Sequence, residues 1–270
     1  MIELIHGLTP MLLVKTGIAV SMVILLSVLA EVVSPRFAGI FSGYPLGAAI
    51  TLFFIGIEAS PEFAAKSALY TCLGLVATQV FAYTYFRTSV ALRNPSRFLE
   101  IAAASFAGIC GYFAAAALLR LMPASIVAAV LLPVFSILVF GYLFRGVKNV
   151  RIANRVSLKP EVLLFRAVFA AFAVILITST ARLVGPGWAG LFSAFPITML
   201  PFVGIVHFTY GPECARAVLK NVPRGLISLL AYSIAVSLFY EPYGVYAGTA
   251  IAYGFATIFL IVAQLKSSPS

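Results

Sequence analysis

Ala38-Gly39-Ile40-Phe41-Ser42-Gly43-Tyr44-Pro45 returns later in the chain as Ala189-Gly190-Leu191-Phe192-Ser193-Ala194-Phe195-Pro196. The offset is a constant 151 residues, from Pro45 to Pro196. It extends upstream to Pro35 and Pro186, and downstream to Ser60-Pro61-Glu62 and Gly211-Pro212-Glu213. In each copy the proline falls a few residues inside a long apolar run. Proline has no N–H, so the carbonyl four residues earlier loses its donor, Phe41 in one copy and Phe192 in the other. In hydrocarbon a bare carbonyl must be buried in protein or face a wet cavity. Two interrupted helices at matching places in two halves are a sequence mark of a carrier's binding site.

The 270 residues are 62% hydrophobic and 10% charged, with a net charge of +10. A soluble domain carries about 25% charged residues. The composition therefore points to an integral membrane protein whose main partner is the lipid bilayer. The positive excess reads as topology, because basic residues collect in cytoplasmic loops. Nucleic acid is not an expected partner, since no soluble basic face exists to hold it. Cys72, Cys110 and Cys214 are odd in number and scattered, which reads as small buried apolar residues rather than a metal or disulfide framework. Residues 1–9 lack the basic start of a cleavable signal, so the first apolar run reads as a retained helix.

With about 20 apolar residues needed per crossing, the pattern predicts an all-α polytopic membrane protein of about nine transmembrane helices. The spans are 11–33, 38–57, 65–86, 98–119, 124–144, 162–183, 189–210, 222–240 and 243–263. Arg36, Arg87, Arg93, Arg97, Arg145, Lys148, Arg151, Arg155, Lys159, Arg216, Lys220, Arg224 and Lys266 then fall on one side. Only Lys15, Lys66, Arg120 and Arg182 fall on the other, with Arg166 just inside a span. This asymmetry predicts an outside N-terminus and a cytoplasmic C-terminus in a bacterial inner membrane. Spans 1–4 match spans 6–9 with span 5 as connector, and an odd offset of five spans inverts one half relative to the other. The domain reading is a four-helix repeat over 1–122, a connector helix and basic loop over 123–160, and a second four-helix repeat over 161–270.

Helices 2 and 7 carry the Pro interruptions and also faces of small residues. Gly39, Gly43 and Gly47 are spaced by four, and their counterparts are Gly190, Ala194 and Thr198. Such faces let another backbone approach closely. The expectation is that the two faces cross near the midplane, with both breaks opening on one cavity. Phe41, Ser42, Gly43, Tyr44, Pro45, Phe192, Ser193, Phe195, Pro196 and Thr198 are the candidate substrate contacts. The competing reading is packing alone, which small faces and proline kinks also serve.

Ser60-Pro61-Glu62 and Gly211-Pro212-Glu213 read as helix starts. Glu31 and Arg182 align across the repeat, yet inversion places them at opposite faces, each lining one vestibule. Arg36 or Arg216 is then expected near Glu31, and Glu58 or Glu241 near Arg182. His207 is either a satisfied core histidine or a proton-coupling group. An enzyme is not expected. The chain has no aspartate and only two histidines, and neither a nucleophile elbow nor a phosphate-cradling Gly-rich loop is present. No metal ligand spacing appears and no cofactor is expected.

The second copy, from Gly190 to Pro196, continues through an apolar run to His207 and then Glu213 and Arg216, and it resembles the GlpM-like group of small bacterial membrane proteins. The resemblance covers roughly 162–263 and more loosely 11–119, with this chain as a fused double copy. It implies a link to the envelope or to exopolysaccharide production. The leading functional expectation is a small inverted-repeat transporter working by alternating access around the two broken helices. Its substrate would be an envelope-related small molecule or a lipid-linked intermediate. The alternative is a non-catalytic accessory subunit of an envelope or exopolysaccharide assembly complex. A homodimer is compatible with both.

Overall fold

In a computed structural model of the protein, the described residues are 10, 13–18, 20–21, 45–92, 96–148, 150 and 160–265. All regular structure among them is helical. The elements are α1 (Leu46–Glu58), α2 (Pro61–Ala91), α3 (Arg97–Arg120), α4 (Ile126–Leu143), α5 (Pro160–Ser193), α6 (Met199–Tyr210) and α7 (Pro212–Leu265). Five of them, α2 to α5 and α7, are long and apolar enough to cross a membrane. Phe98, Phe106, Leu131, Phe135, Phe172 and Ile258 stand exposed on these helices, an outward apolar coat suited to lipid. The chain is built as a helical membrane protein.

The helix starts follow from local chemistry. At α2 the Ser60 hydroxyl accepts a hydrogen bond from the Phe63 N–H at 3.0 Å. Pro61 sits in the first turn, where its missing donor costs nothing, and Glu62 complements the positive helix end. At the matching position Pro212 opens α7, with Gly211 at φ 91° and ψ 172° making the corner after α6. Gly185 and Gly244 repeat that corner inside α5 and α7, at φ 76°, ψ 168° and φ 76°, ψ 171°. This region is essentially closed to residues with a Cβ. The loop expected over 184–188 thus shrinks to one glycine, and the last two predicted spans part at Gly244. Gly244→Ala should cost about 1–3 kcal/mol, although a Cβ there meets nothing within 4 Å. Thermal unfolding in detergent would read that loss as backbone strain.

The interruption expected at Pro196 has a direct structural counterpart. α5 stops at Ser193 and α6 resumes at Met199, with Pro196 in the gap. α1 begins at Leu46, immediately after Pro45. Gly39, Phe41, Ser42, Gly43, Tyr44, Glu31 and Arg36 lie outside the described residues. So do parts of the predicted spans 1 and 2.

α2 is the axis of the bundle. It contacts α1, α3, α4, α5 and α7, and 67% of its apolar stretch is buried against 17% for α4. Its buried polar residues reach neighbouring helices: Gln79 Nε2 donates to Ser136 Oγ at 2.6 Å, joining α2 to α4. Cys72 and Cys214 are buried as expected, but Cys110 is exposed on α3. α3 is mostly peripheral, with 22% of its apolar stretch buried, so small size alone does not send a residue inward there.

Candidate functional site

The end of α5 is where the bundle meets its hardest hydrogen-bonding problem. A helix that stops in the membrane leaves its last carbonyls without intrahelical donors. Three hydroxyls from other helices reach the last carbonyls of α5. Thr71 Oγ1 donates to the Gly190 carbonyl at 3.0 Å, and Thr78 Oγ1 donates to that of Ala194 at 2.8 Å. The Tyr112 hydroxyl donates to the Leu191 carbonyl. Phe192, the carbonyl expected to be bare, accepts from the Phe195 N–H at 3.0 Å in a tightened last turn. The Gly190 and Leu191 carbonyls also accept from the Ala194 N–H, at 3.2 and 3.1 Å, so of these four carbonyls Ala194 is the one held by a side chain of another helix alone.

These bonds require close approach. A Cβ on Gly190 would overlap the Ser67 carbonyl, and one on Gly74 would come within 2.5 Å of the Ala194 Cβ. The small face Gly190-Ala194 thus packs against α2. Gly39 and Gly43, the other side of the expected crossing, lie outside the described residues.

The two proline breaks open on one cavity of about 40 Å³. Pro45, Leu46, Gly47 and Ala48 line it from the start of α1, and Ser193 to Met199 line it from the break between α5 and α6. Thr78 of α2 and Val222, Leu226 and Leu229 of α7 complete the wall. Much of the lining pairs at the 151-residue offset: Pro45 with Pro196, Leu46 with Ile197, Gly47 with Thr198, Ala48 with Met199, and Thr78 with Leu229. The space suits about three waters or one small solute group.

Among the predicted contacts, Pro45, Ser193, Phe195, Pro196 and Thr198 line the cavity. Phe192 is not part of that lining. Its ring packs on Trp188 and Phe113, with centroids 5.4 and 6.2 Å away. Phe41, Ser42, Gly43 and Tyr44 lie outside the described residues. Thr78 was missed, although Ser67, Thr71 and Thr78 form a hydroxyl stripe at helical spacing that the sequence displays. The cavity offers hydroxyl lone pairs and the positive ends of two helices. No charged side chain is in the described lining.

Charge collects elsewhere. His207 is fully buried near the far end of α6, with Nδ1 2.9 Å from the Tyr85 hydroxyl and Nε2 3.2 Å from Glu100 Oε1. Arg216 Nη2 lies 3.6 Å from the same carboxylate oxygen, while its Nε donates to Ser89 Oγ at 3.0 Å. Arg97 Nη1 donates to the Phe208 carbonyl at 2.9 Å. His207 is thus part of a cluster drawn from four helices, and Glu100 is its unforeseen member. A second cluster has Lys15 Nζ at 2.5 Å from Glu58 Oε1 and 2.7 Å from Thr178 Oγ1. Glu58 is engaged there while Arg182 is exposed, so that proposed neighbour of Arg182 is already paired. No family model, curated protein or solved structure matches the chain.

Proposed function

We propose that the chain is a small membrane carrier, built as an inverted repeat, that holds a small solute between its two proline breaks and works by alternating access. The observation that carries this reading is the shared cavity, ten of whose fifteen lining residues pair at the repeat offset. A pseudo-two-fold axis through a binding site is what lets two halves exchange conformations and so exchange the side that is open. Lipid-facing helices and proline kinks serving packing alone have no need of paired residues around an uncharged hollow. The small volume favours a compact solute or headgroup over a bulky lipid-linked intermediate. The topology proposed with it is nine spans, an outside N-terminus and a cytoplasmic C-terminus in a bacterial inner membrane.

Purified protein in liposomes, loaded in turn with isotope-labelled sugars, amino acids, carboxylates and inorganic ions, tests this directly. One solute class should show saturable counterflow. Flux confined to a fluorescent polyprenyl-phosphate lipid, or no flux of any probe, would overturn the reading.

A further inference from the structure

The cavity offers no charged side chain in its described lining, so energy for uphill transport has to enter somewhere else. The cluster around His207 has the chemistry for it. α6 starts at the cavity with Met199 and reaches His207 eight residues later, about 12 Å along one continuous helix at 1.5 Å per residue. One short rod therefore joins the solute cavity to a buried titratable site.

The surroundings of His207 are arranged so that a proton can arrive without rebuilding them. The Tyr85 hydroxyl beside Nδ1 donates when that nitrogen is bare and accepts when it carries a proton, by rotation about one bond. On the other side, Nε2 and Glu100 Oε1 are buried, 3.2 Å apart, and neither has a hydrogen-bond partner. The groups facing the ring are Tyr85 from α2, Arg97 and Glu100 from α3, and Arg216 from α7. With His207 neutral, Glu100 serves Arg216, and Arg216 in turn clasps Ser89 of α2 through both the side chain and the backbone carbonyl. With His207 charged, two cations compete for one carboxylate.

We propose that His207 and Glu100 form a proton-binding site coupled to the cavity. A proton from water adds to His207 Nδ1, the imidazolium takes over Glu100, and Arg216 is released from its clasp on α2. α6 carries that change to the break at 194–198. This inference rests on the carrier reading for its purpose, but its test needs no solute.

The chain has only two histidines, so His6→Gln leaves His207 as the sole imidazole. Nitrogen NMR of that full-length protein in lipid nanodiscs should show His207 gaining a proton as the pH falls. A cysteine at the cavity supplies the second readout, as Thr198→Cys with Cys72, Cys110 and Cys214 replaced by alanine. Its maleimide labelling rate, divided at each pH by that of free cysteine so that the thiolate fraction cancels, should change about fivefold or more over the same fall in pH, the low end of ordinary coupling between sites. That response should vanish in His207→Gln and in Glu100→Gln. A His207 resonance that never titrates overturns the proposal, as does labelling whose pH dependence survives both substitutions. If titration and labelling are coupled but no solute moves, the carrier reading fails alone. If a solute moves at a rate blind to pH and His207 stays neutral, this inference fails alone.

Discussion

Gly190→Val should cost at least about 3 kcal/mol of stability, enough to leave little folded protein, because two separate penalties fall on one site. The first is steric. The nearest atom to a Cβ at this position is the Ser67 carbonyl oxygen, followed by its carbon at 2.8 Å. A flexible side chain could swing away, but the backbone of the central helix cannot. The second penalty is electrostatic. Prising α5 off α2 separates Thr71 from the Gly190 carbonyl and Thr78 from the Ala194 carbonyl, and strains the Tyr112 bond to Leu191. The Ala194 carbonyl left bare costs about 1–3 kcal/mol, while those of Gly190 and Leu191 keep the Ala194 N–H. Gly141→Ala is the control, since a Cβ there meets nothing within 4 Å. It should be neutral or stabilising, as expected when glycine gives way to alanine in a helix. Unfolding followed by the mobility of the detergent complex would separate the two, and a Gly190→Val protein as stable as the parent would show that α5 and α2 do not meet at this point.

The pattern of prolines was enough to find the interruption at Pro196 and the helix start after Pro45, because a missing N–H acts on its own helix and leaves a local mark. The starts at Pro61 and Pro212 were legible for the same reason. What the chain hid was which helix face meets which. The small residues at Gly190 and Ala194 do not say which helix they meet, and the hydroxyls of Thr71 and Thr78 that reach them come from α2. His207 and Glu100 sit in different helices, on faces that no periodicity relates. Contacts across the bundle depend on how helices rotate against each other, and small steps in rotation leave hydropathy unchanged in a chain apolar on most sides. The repeat offset narrows that freedom by pairing positions, yet Thr78 pairs with Leu229, so the two walls of the cavity are not chemically alike.

Gly47→Leu should act in the opposite sense to Gly190→Val, raising stability slightly while abolishing transport. Gly47 lines the cavity, and a Cβ built on it meets nothing within 4 Å. Leucine there is a better helix former than glycine by somewhat under 1 kcal/mol, and its Cβ enters open space. Its four carbons are each about as large as a water, in a space for about three, so a solute and the side chain cannot share the site. Trading a hollow kept for a ligand against stability is a common outcome at functional sites. Counterflow should fall by about a hundredfold, the scale on which misplacing bound groups by an ångström acts, while the melting temperature holds or rises. The repeat partner offers an independent check. Thr198→Leu adds bulk from the opposite wall and should block counterflow as completely, because the two positions pair across the same hollow. A smaller change, Gly47→Ala, should keep folding intact and reduce flux only in part. If Gly47→Leu melts at the parent's temperature or above and still moves solute at the parent rate, the hollow between the breaks is not the path, and the two prolines serve packing.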